Sequence, residues 1–202
     1  PLDMRMDQDQ ARSAADVVND TDERELAALL HTYGDERFAR RIAAAIVRAR
    51  PVSTTKELAE IVRDAIPAPA RRTGGHPAKR TFQAIRIAVN AELDILPEAI
   101  DGALRALAPR GRCAVLSYHS GEDRIVKARF RHAATGGWTG PSHLPPPSDV
   151  HATVRLLKAG SWTPSRAEST DNPRASSARL RAVEKLDPPP SGPPATTPEA
   201  SR

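Results

Sequence analysis

The sequence is poor in cysteine and in aromatic residues. Its single cysteine, Cys113, excludes a disulfide within the chain, and its place in an apolar run favours a small core residue over a metal ligand or a nucleophile. Aromatic residues make up 3% of the chain, but apolar residues reach 39%, enough for one domain with a core plus tails. We find neither a secretory signal nor an apolar run that could cross a bilayer, so we expect a cytoplasmic protein with no membrane partner.

Proline and positive charge are abundant instead. Many of the 19 prolines fall in residues 141–147 and 188–198, which cannot bury much surface, and we expect residues 187–202 to be a disordered tail. The formal net charge is +5, and arginine supplies most of the positive charge. An arginine-rich surface is typical of a phosphate-bearing partner, because the guanidinium fork matches phosphate oxygens in pairs. It is equally typical of a solvated surface encoded by a GC-rich genome.

In the first third of the chain, apolar residues recur at the spacing that is typical of helices. Residues 1–12 are polar and predict a loop. Apolar residues then recur at steps of three and four through residues 14–66, with Gly34 at the end of one helix and Pro51 at the end of the next. Thr54 and Glu57 have the spacing of a capping box that begins a third helix. Residues 14–66 are therefore predicted to form a small helical bundle.

The period changes in the later part of the chain. The sequence predicts a long helix over 78–96, a shorter one over 97–107, and then a strand, Cys113–Tyr118, whose continuous apolar run is typical of burial on both faces. Ser120 and Asp123 have N-cap and N3 spacing for a helix over about 121–132. Alternating patterns predict further strands over 150–158 and 177–184. Helix, turn, buried strand and helix in this order are typical of a doubly wound α/β sheet.

Five blocks of sequence, in collinear order over residues 1–186, resemble one family, the RsmH (MraW) ribosomal RNA cytosine-N4 methyltransferases. They are PLDMRMD at 1–7, YGDERFARRI at 33–42, HPAKRTFQAIRI at 76–87, SYHSGEDRIVK at 117–127, and NPRA at 172–175 with Leu180-Arg181. Two residues depart from the family pattern. Tyr118 stands where phenylalanine is usual, and Gly121 where leucine is usual, which should loosen the start of that helix.

The resemblance implies an α/β fold that is the later part of a Rossmann-like class I methyltransferase sheet with a helical insertion domain. It assigns residues 1–12 to a loop of the catalytic domain, 13–70 to the insertion domain, and 71–186 to the C-terminal part of the methyltransferase domain. The implied partner is 16S ribosomal RNA or the small ribosomal subunit. The implied chemistry is direct displacement, in which a cytosine amine attacks the methyl group of S-adenosylmethionine.

In that family the donor site lies in the first strands, around a glycine-rich turn that this sequence lacks. We therefore expect the chain to be a C-terminal portion without the donor-binding half, inactive alone. We assign it no cofactor-binding residue and no metal ligand.

His119 is the candidate catalytic residue. It follows a predicted strand directly, and in open α/β sheets the carboxyl ends of the strands face the ligand crevice. There it could hydrogen-bond the target base or relay a proton. The alternative is a histidine that fixes the strand–helix turn.

Five further residues are candidates for contacts with the RNA substrate. Asp3 could accept a hydrogen bond from a cytosine amino group and Arg5 could pair with phosphate, although an Asp–Arg pair that holds the loop is the competing interpretation. Lys79, Arg80 and Arg86 are placed near the start of the long helix, where basic residues favour phosphate. Their alternative is a solvated helix face.

A non-catalytic, basic RNA-binding or interaction module is the rival function. The oligomeric state is left open between a monomer and a homodimer.

Overall fold

The computed structural model describes residues 1–72, 76–141, 144–148 and 150–188. Most of the predicted tail, from residue 189 on, and the dipeptide Gly74-Gly75 lie outside these residues. The chain divides into two compact units, Pro1–Leu96 and Pro97–Arg202, and has a mixed α/β fold that is mostly helical. Within the described residues, no helix is both long and apolar enough to cross a membrane.

The first unit is a bundle of five α-helices preceded by the loop of residues 1–12. The helices are α1 (Ala14–Asp20), α2 (Glu23–Gly34), α3 (Ala39–Ala49), α4 (Thr55–Ala65) and α5 (Lys79–Asn90). The predicted capping box is confirmed, since Thr54 Oγ1 accepts from the Glu57 N–H and the Glu57 side chain accepts from the Thr54 N–H. The bundle predicted for residues 14–66 is thus present, with α5 added to it.

Aliphatic side chains build the core of this unit. Leu30, Ile42, Ile46 and Leu58 from α2, α3 and α4 are fully buried, and Ile85 brings α5 into the same cluster. Burying each such side chain contributes roughly 1.5–3 kcal/mol relative to leaving it in water. The helical bundle therefore carries its own hydrophobic core.

Helices α2 and α5 approach each other closely at a glycine. A Cβ atom at Gly34 would lie 2.6 Å from the carbonyl oxygen of Arg80, so a larger residue would push the two helices apart. As predicted, α2 ends at Gly34, and Asp35 then adopts the left-handed conformation that closes the helix. Helix α5 is shorter than the predicted 78–96, because Ala91 takes the left-handed conformation after Asn90.

The second unit combines helices with a small sheet. Its elements are α6 (Leu96–Ala106), β1 (Arg112–Ser117), α7 (Ser120–Thr135), β2 (Val154–Leu156), α8 (Arg166–Asp171) and β3 (Arg179–Lys185). The three strands lie in the order β1-β3-β2, and β3 is antiparallel to both neighbours, with Cys113 opposite Val183 and Leu156 also opposite Val183. Helix α7 packs on all three strands and buries Val126 and Phe130.

The mixed α/β fold is as expected, but the described strands pair only in antiparallel fashion, whereas a doubly wound sheet is mostly parallel. Two expectations for this unit need correction. The strand predicted over 150–158 has three residues, Val154–Leu156. Strand β1 is not buried on both faces: Arg112, Ala114 and Leu116 alternate along one face and are exposed, Leu116 by 48%.

The division into compact units does not coincide with the domain boundaries drawn from the sequence. Helix α5, assigned to the C-terminal methyltransferase part, shares its core with the helices of residues 13–70. The assignment of residues 13–70 to an insertion and 71–186 to the catalytic domain remains a prediction, because a compact packing unit need not match an inserted segment of sequence.

Candidate functional site

His119 lies directly after β1 and is the N-cap residue of α7. Its backbone is extended, and its Nδ1 accepts a hydrogen bond from the Glu122 N–H at 3.4 Å. In return, Glu122 Oε2 accepts from the Tyr118 N–H at 2.8 Å and from the His119 N–H at 3.3 Å. The capping pair predicted as Ser120 and Asp123 is therefore one residue too late, because the histidine ring itself supplies the capping acceptor.

The second ring nitrogen of His119 is buried and makes no hydrogen bond within the described residues. It lies 3.4 Å from Glu122 Oε1, and the side chain is 13% exposed. The contact with the His119 side chain is the largest of the causes that lower the pKa of Glu122. A neutral ring that accepts at Nδ1 carries its proton on Nε2, and this donor nitrogen faces the Glu122 carboxylate.

Asp123 holds the sheet to α7. It accepts two parallel hydrogen bonds from Arg181 of β3, at 2.7 and 3.0 Å, and this guanidinium is the main cause that lowers the pKa of Asp123. Such bidentate pairs fix geometry as well as contribute energy. The start of α7, where His119 lies, is thus anchored on β3 by an ion pair.

Sequence reasoning missed a cavity beside the end of β1. It has a volume of about 490 Å³, and Tyr118, Trp162, Asn172 and Arg174 are among its lining residues. Tyr118 is 55% exposed, and the Lys158 ammonium lies 5.4 Å from the centre of a Trp162 ring. Two aromatic rings with an amide and a guanidinium are a composition that can hold an unstacked base. Part of the cavity wall comes from the block Asn172–Ala175, which the sequence marked only as a resemblance to the family.

Asp3 and Arg5 contact each other. Arg5 Nε donates to Asp3 Oδ1 at 2.7 Å and Nη2 donates to Asp3 Oδ2 at 2.9 Å, while Nη1 donates to the carbonyl oxygens of Gln8 and Gln10. The hydrogen bonds from Arg5 lower the pKa of Asp3 from 3.8 to about 2. This geometry supports the loop-holding interpretation, and contact with substrate remains a prediction for both residues.

The basic residues of α5 have separate environments. Lys79 lines a cavity of about 290 Å³ together with Lys56 and His76. Arg80 Nη1 donates to the carbonyl oxygen of Asp35 at 3.1 Å. Arg86 does not lie at the helix start as predicted, since α5 ends at Asn90; its guanidinium makes a bidentate pair with Glu92.

All five predicted RNA-contacting residues lie in the first unit, and His119 lies in the second. The loop is tied to the end of α5, because the Met6 N–H donates to Asn90 Oδ1 at 2.8 Å and Asn90 Nδ2 donates to the Met4 carbonyl at 2.9 Å. The structure thereby brings the loop that carries Asp3 and Arg5 to the helix that carries Lys79, Arg80 and Arg86.

None of the described strands leads into a helix through a glycine-rich turn. A nucleotide-type cofactor in an α/β sheet sits on a glycine-rich turn between a strand and a helix. Among the described strands only β1 leads directly into a helix, and that turn contains Tyr118 and His119 instead of glycines. The described residues also contain no group of three or more His, Cys, Asp or Glu side chains that could hold a metal ion.

Comparison with known proteins gives a consistent result. A family model described as the MraW methylase family matches residues 1–186. Three proteins named ribosomal RNA small subunit methyltransferase H are similar to the chain. That of Frankia casuarinae is 56% identical over 194 residues, which cover 94% of this chain and 60% of the relative. That of Acidothermus cellulolyticus is 57% identical over 189 residues, which cover 92% of this chain and 57% of the relative. That of Salinispora tropica is 54% identical over 193 residues, which cover 93% of this chain and 51% of the relative. The chain spans about half the length of these curated relatives.

Proposed function

The chain belongs to the MraW methylase family, and we propose that it forms the later, acceptor-side part of an S-adenosylmethionine-dependent enzyme that methylates N4 of a cytosine in 16S ribosomal RNA. The observation that carries the proposal is the match over residues 1–186, with identities near 55% to proteins whose name states a small-subunit ribosomal RNA methyltransferase. A ribosomal substrate would locate the enzyme in the bacterial cytoplasm.

The unpaired edge of strand β1 supports this assignment. Strand β1 is an edge strand in the described structure, and Leu116 and Tyr118 near its end are exposed. An exposed apolar edge strand normally pairs with another strand or is covered. We propose that the three strands are the later part of a Rossmann-like class I sheet, and that β1 pairs with a strand from the donor-binding part.

His119 is the residue proposed to meet the acceptor. Its Nε2 donor is at the carboxyl end of β1, and the cavity lined by Tyr118 and Trp162 lies at the same strand end. Nε2 is buried and faces Glu122 Oε1 in the described structure, so it can donate a hydrogen bond to the target base only when the ring moves away from this carboxylate. We propose that the donor is held by another segment of the longer protein, and that the contribution of this chain is confined to the acceptor.

Nucleoside mass spectrometry tests the proposal. A longer protein that contains this chain should convert cytidine of 16S RNA to N4-methylcytidine when S-adenosylmethionine is supplied. No methyl transfer, or a methyl group on carbon or on another base, would contradict the proposal. The rival function, an RNA-binding module without catalysis, predicts RNA binding with no methylated nucleoside.

A further inference from the structure

Helices α2 and α3 enclose a basic cavity in the first unit. It has a volume of about 830 Å³, and its lining includes Arg24 of α2 together with Arg37, Arg40 and Arg41 at the start of α3. All four side chains are exposed. Arg37, Arg40 and Arg41 are close in sequence, but only the packing of two helices brings Arg24 to the same cavity.

These four arginines differ from most others in the protein. Arg5, Arg86, Arg129 and Arg181 each make a bidentate pair with a carboxylate. No ion pair or side-chain hydrogen bond engages the four cavity arginines among the residues that the structure describes; Arg37 only stacks, with its guanidinium 5.4 Å from the centre of the Phe38 ring. Their donors are therefore available to an external anion.

Two carboxylates also line the cavity, and they do not neutralise it. Glu36 is 3% exposed, and its Oε1 accepts a hydrogen bond from the Phe38 N–H at 2.9 Å, so it is engaged with the backbone at the start of α3. Glu23 is exposed. Four guanidinium groups against these two carboxylates leave a net positive charge. The first turn of α3, whose N-cap side chain makes no capping hydrogen bond, adds the positive end of a helix dipole.

We infer that this arginine cavity binds backbone phosphates of the RNA substrate. The inference rests on the proposed function, because ribosomal RNA is the polyanion that the family acts on; it adds where on the helical bundle the RNA is held. Arginine forks recognise phosphate oxygens in pairs, and contacts to phosphate position an RNA without reading its sequence. The cavity would thus orient the RNA on the bundle and leave recognition of the target base to other residues.

A pair of variants tests the inference in the full chain. Arg24→Ala with Arg41→Ala removes one arginine from each wall, whereas Arg48→Ala with Arg105→Ala removes two exposed arginines that lie outside the cavity. Binding of a uridine 20-mer is measured by fluorescence anisotropy across a salt series. We expect the cavity variant to bind about tenfold more weakly at low salt. Its slope of log affinity against log salt should fall by about 0.7 for each lost phosphate contact. The control variant should change by less than half as much.

Ala28→Glu provides an independent probe, since Ala28 is an exposed cavity residue on α2 and glutamate is well tolerated in a helix. It should weaken RNA binding severalfold, and Ala28→Gln should not. Circular dichroism confirms that each variant folds.

Equal losses in the cavity and control variants would overturn the inference, as would RNA binding unchanged by either cavity change. Polyglutamate could also bind as tightly as RNA, with the same dependence on Arg24 and Arg41. This result would assign the cavity to an acidic protein and would also overturn the inference. If the wild-type chain binds RNA but the cavity variants bind equally well, only the cavity assignment fails. If the wild-type chain binds no RNA at low salt, the RNA contact of the proposed function fails with it.

Discussion

At the scale of the residue, His119 combines the capping of α7 with a buried donor nitrogen that faces Glu122. Its Nδ1 caps α7, and its Nε2 makes no hydrogen bond within the described residues. Loss of activity in an alanine variant would not separate these two properties, because an N-cap replaced by alanine costs about 0.5–2 kcal/mol of stability. Asparagine separates them, since it is a good N-cap residue without an imidazole.

We therefore predict that His119→Asn, made in a longer protein that contains the donor-binding part, keeps a melting temperature close to that of the wild type. Its methylation rate should fall roughly 10²-fold or more, as expected when a positioned hydrogen-bond donor to the reacting base is lost. Affinity for S-adenosylmethionine, measured by calorimetry, should not change. Wild-type turnover in His119→Asn would show that capping is the whole role of this residue.

Asp3 gives a prediction for the dependence of stability on pH. Its pKa is lowered to about 2 by hydrogen bonds from Arg5, so the folded state favours the carboxylate. A group whose folded pKa is depressed stabilises the fold above its unfolded pKa of 3.8, and that contribution is lost as the pH falls through about 2. The difference in the free energy of unfolding between the wild type and Asp3→Asn should thus be constant near neutral pH and shrink between pH 4 and 2.

Urea unfolding followed by circular dichroism measures this difference. Asp9→Asn is the matched control, because Asp9 is an exposed carboxylate in the same loop whose side chain makes no hydrogen bond within the described residues. A difference for Asp3→Asn that stays constant down to pH 2, or an equal trend for Asp9→Asn, would show that the Asp3–Arg5 pair does not stabilise the loop.

At the scale of the element, strand β1 and strand β3 should behave differently. Strand β3 is hydrogen-bonded on both edges, whereas β1 has one neighbour in the described structure. We predict that backbone amides of residues 179–185 exchange with solvent more slowly than those of 112–117 in the isolated chain. Hydrogen exchange read by mass spectrometry makes the comparison.

The same peptides in the longer protein are the control, and residues 112–117 should become protected there if β1 gains a second neighbour. Core-like protection of these residues in a monomer of the isolated chain would contradict our proposal that β1 is part of a larger sheet.

Local rules predicted the helices better than the strands. The capping box of Thr54 and Glu57 and the end of α2 at Gly34 depend on residues close in sequence, and both predictions are confirmed. The exposure of Leu116 depends on what covers that face of the sheet, which no local pattern specifies. The predicted N-cap of α7 was one residue too late, because histidine is not among the usual N-cap residues.

The candidate site was predictable only in part. His119 was proposed from its place after a predicted strand, and its role remains a prediction. The cavity around Tyr118 and Trp162 was not found, because these residues are 44 positions apart and meet only through the bridge that pairs Trp162 with Leu180. In the same way, Arg24 and Arg41 share a cavity through helix packing and not through any motif.

At the scale of the whole molecule, we propose that the chain is one part of a two-part enzyme. The chain covers 51–60% of the length of the three relatives compared, its described strands offer no glycine-rich turn before a helix, and its first strand has an open edge. The acceptor-side residues proposed here would then act on a methyl group held by another segment of the longer protein. On this account the 202-residue chain alone recognises RNA but not the donor.

Calorimetric titration of S-adenosylmethionine tests this central claim most directly. The titration is performed on the purified 202-residue chain and, as the positive control, on a longer protein that contains it. We predict a saturable heat of binding for the longer protein and none for the isolated chain. Micromolar binding by the isolated chain would show that it contains the donor site and would contradict the proposed division of the enzyme into donor and acceptor parts.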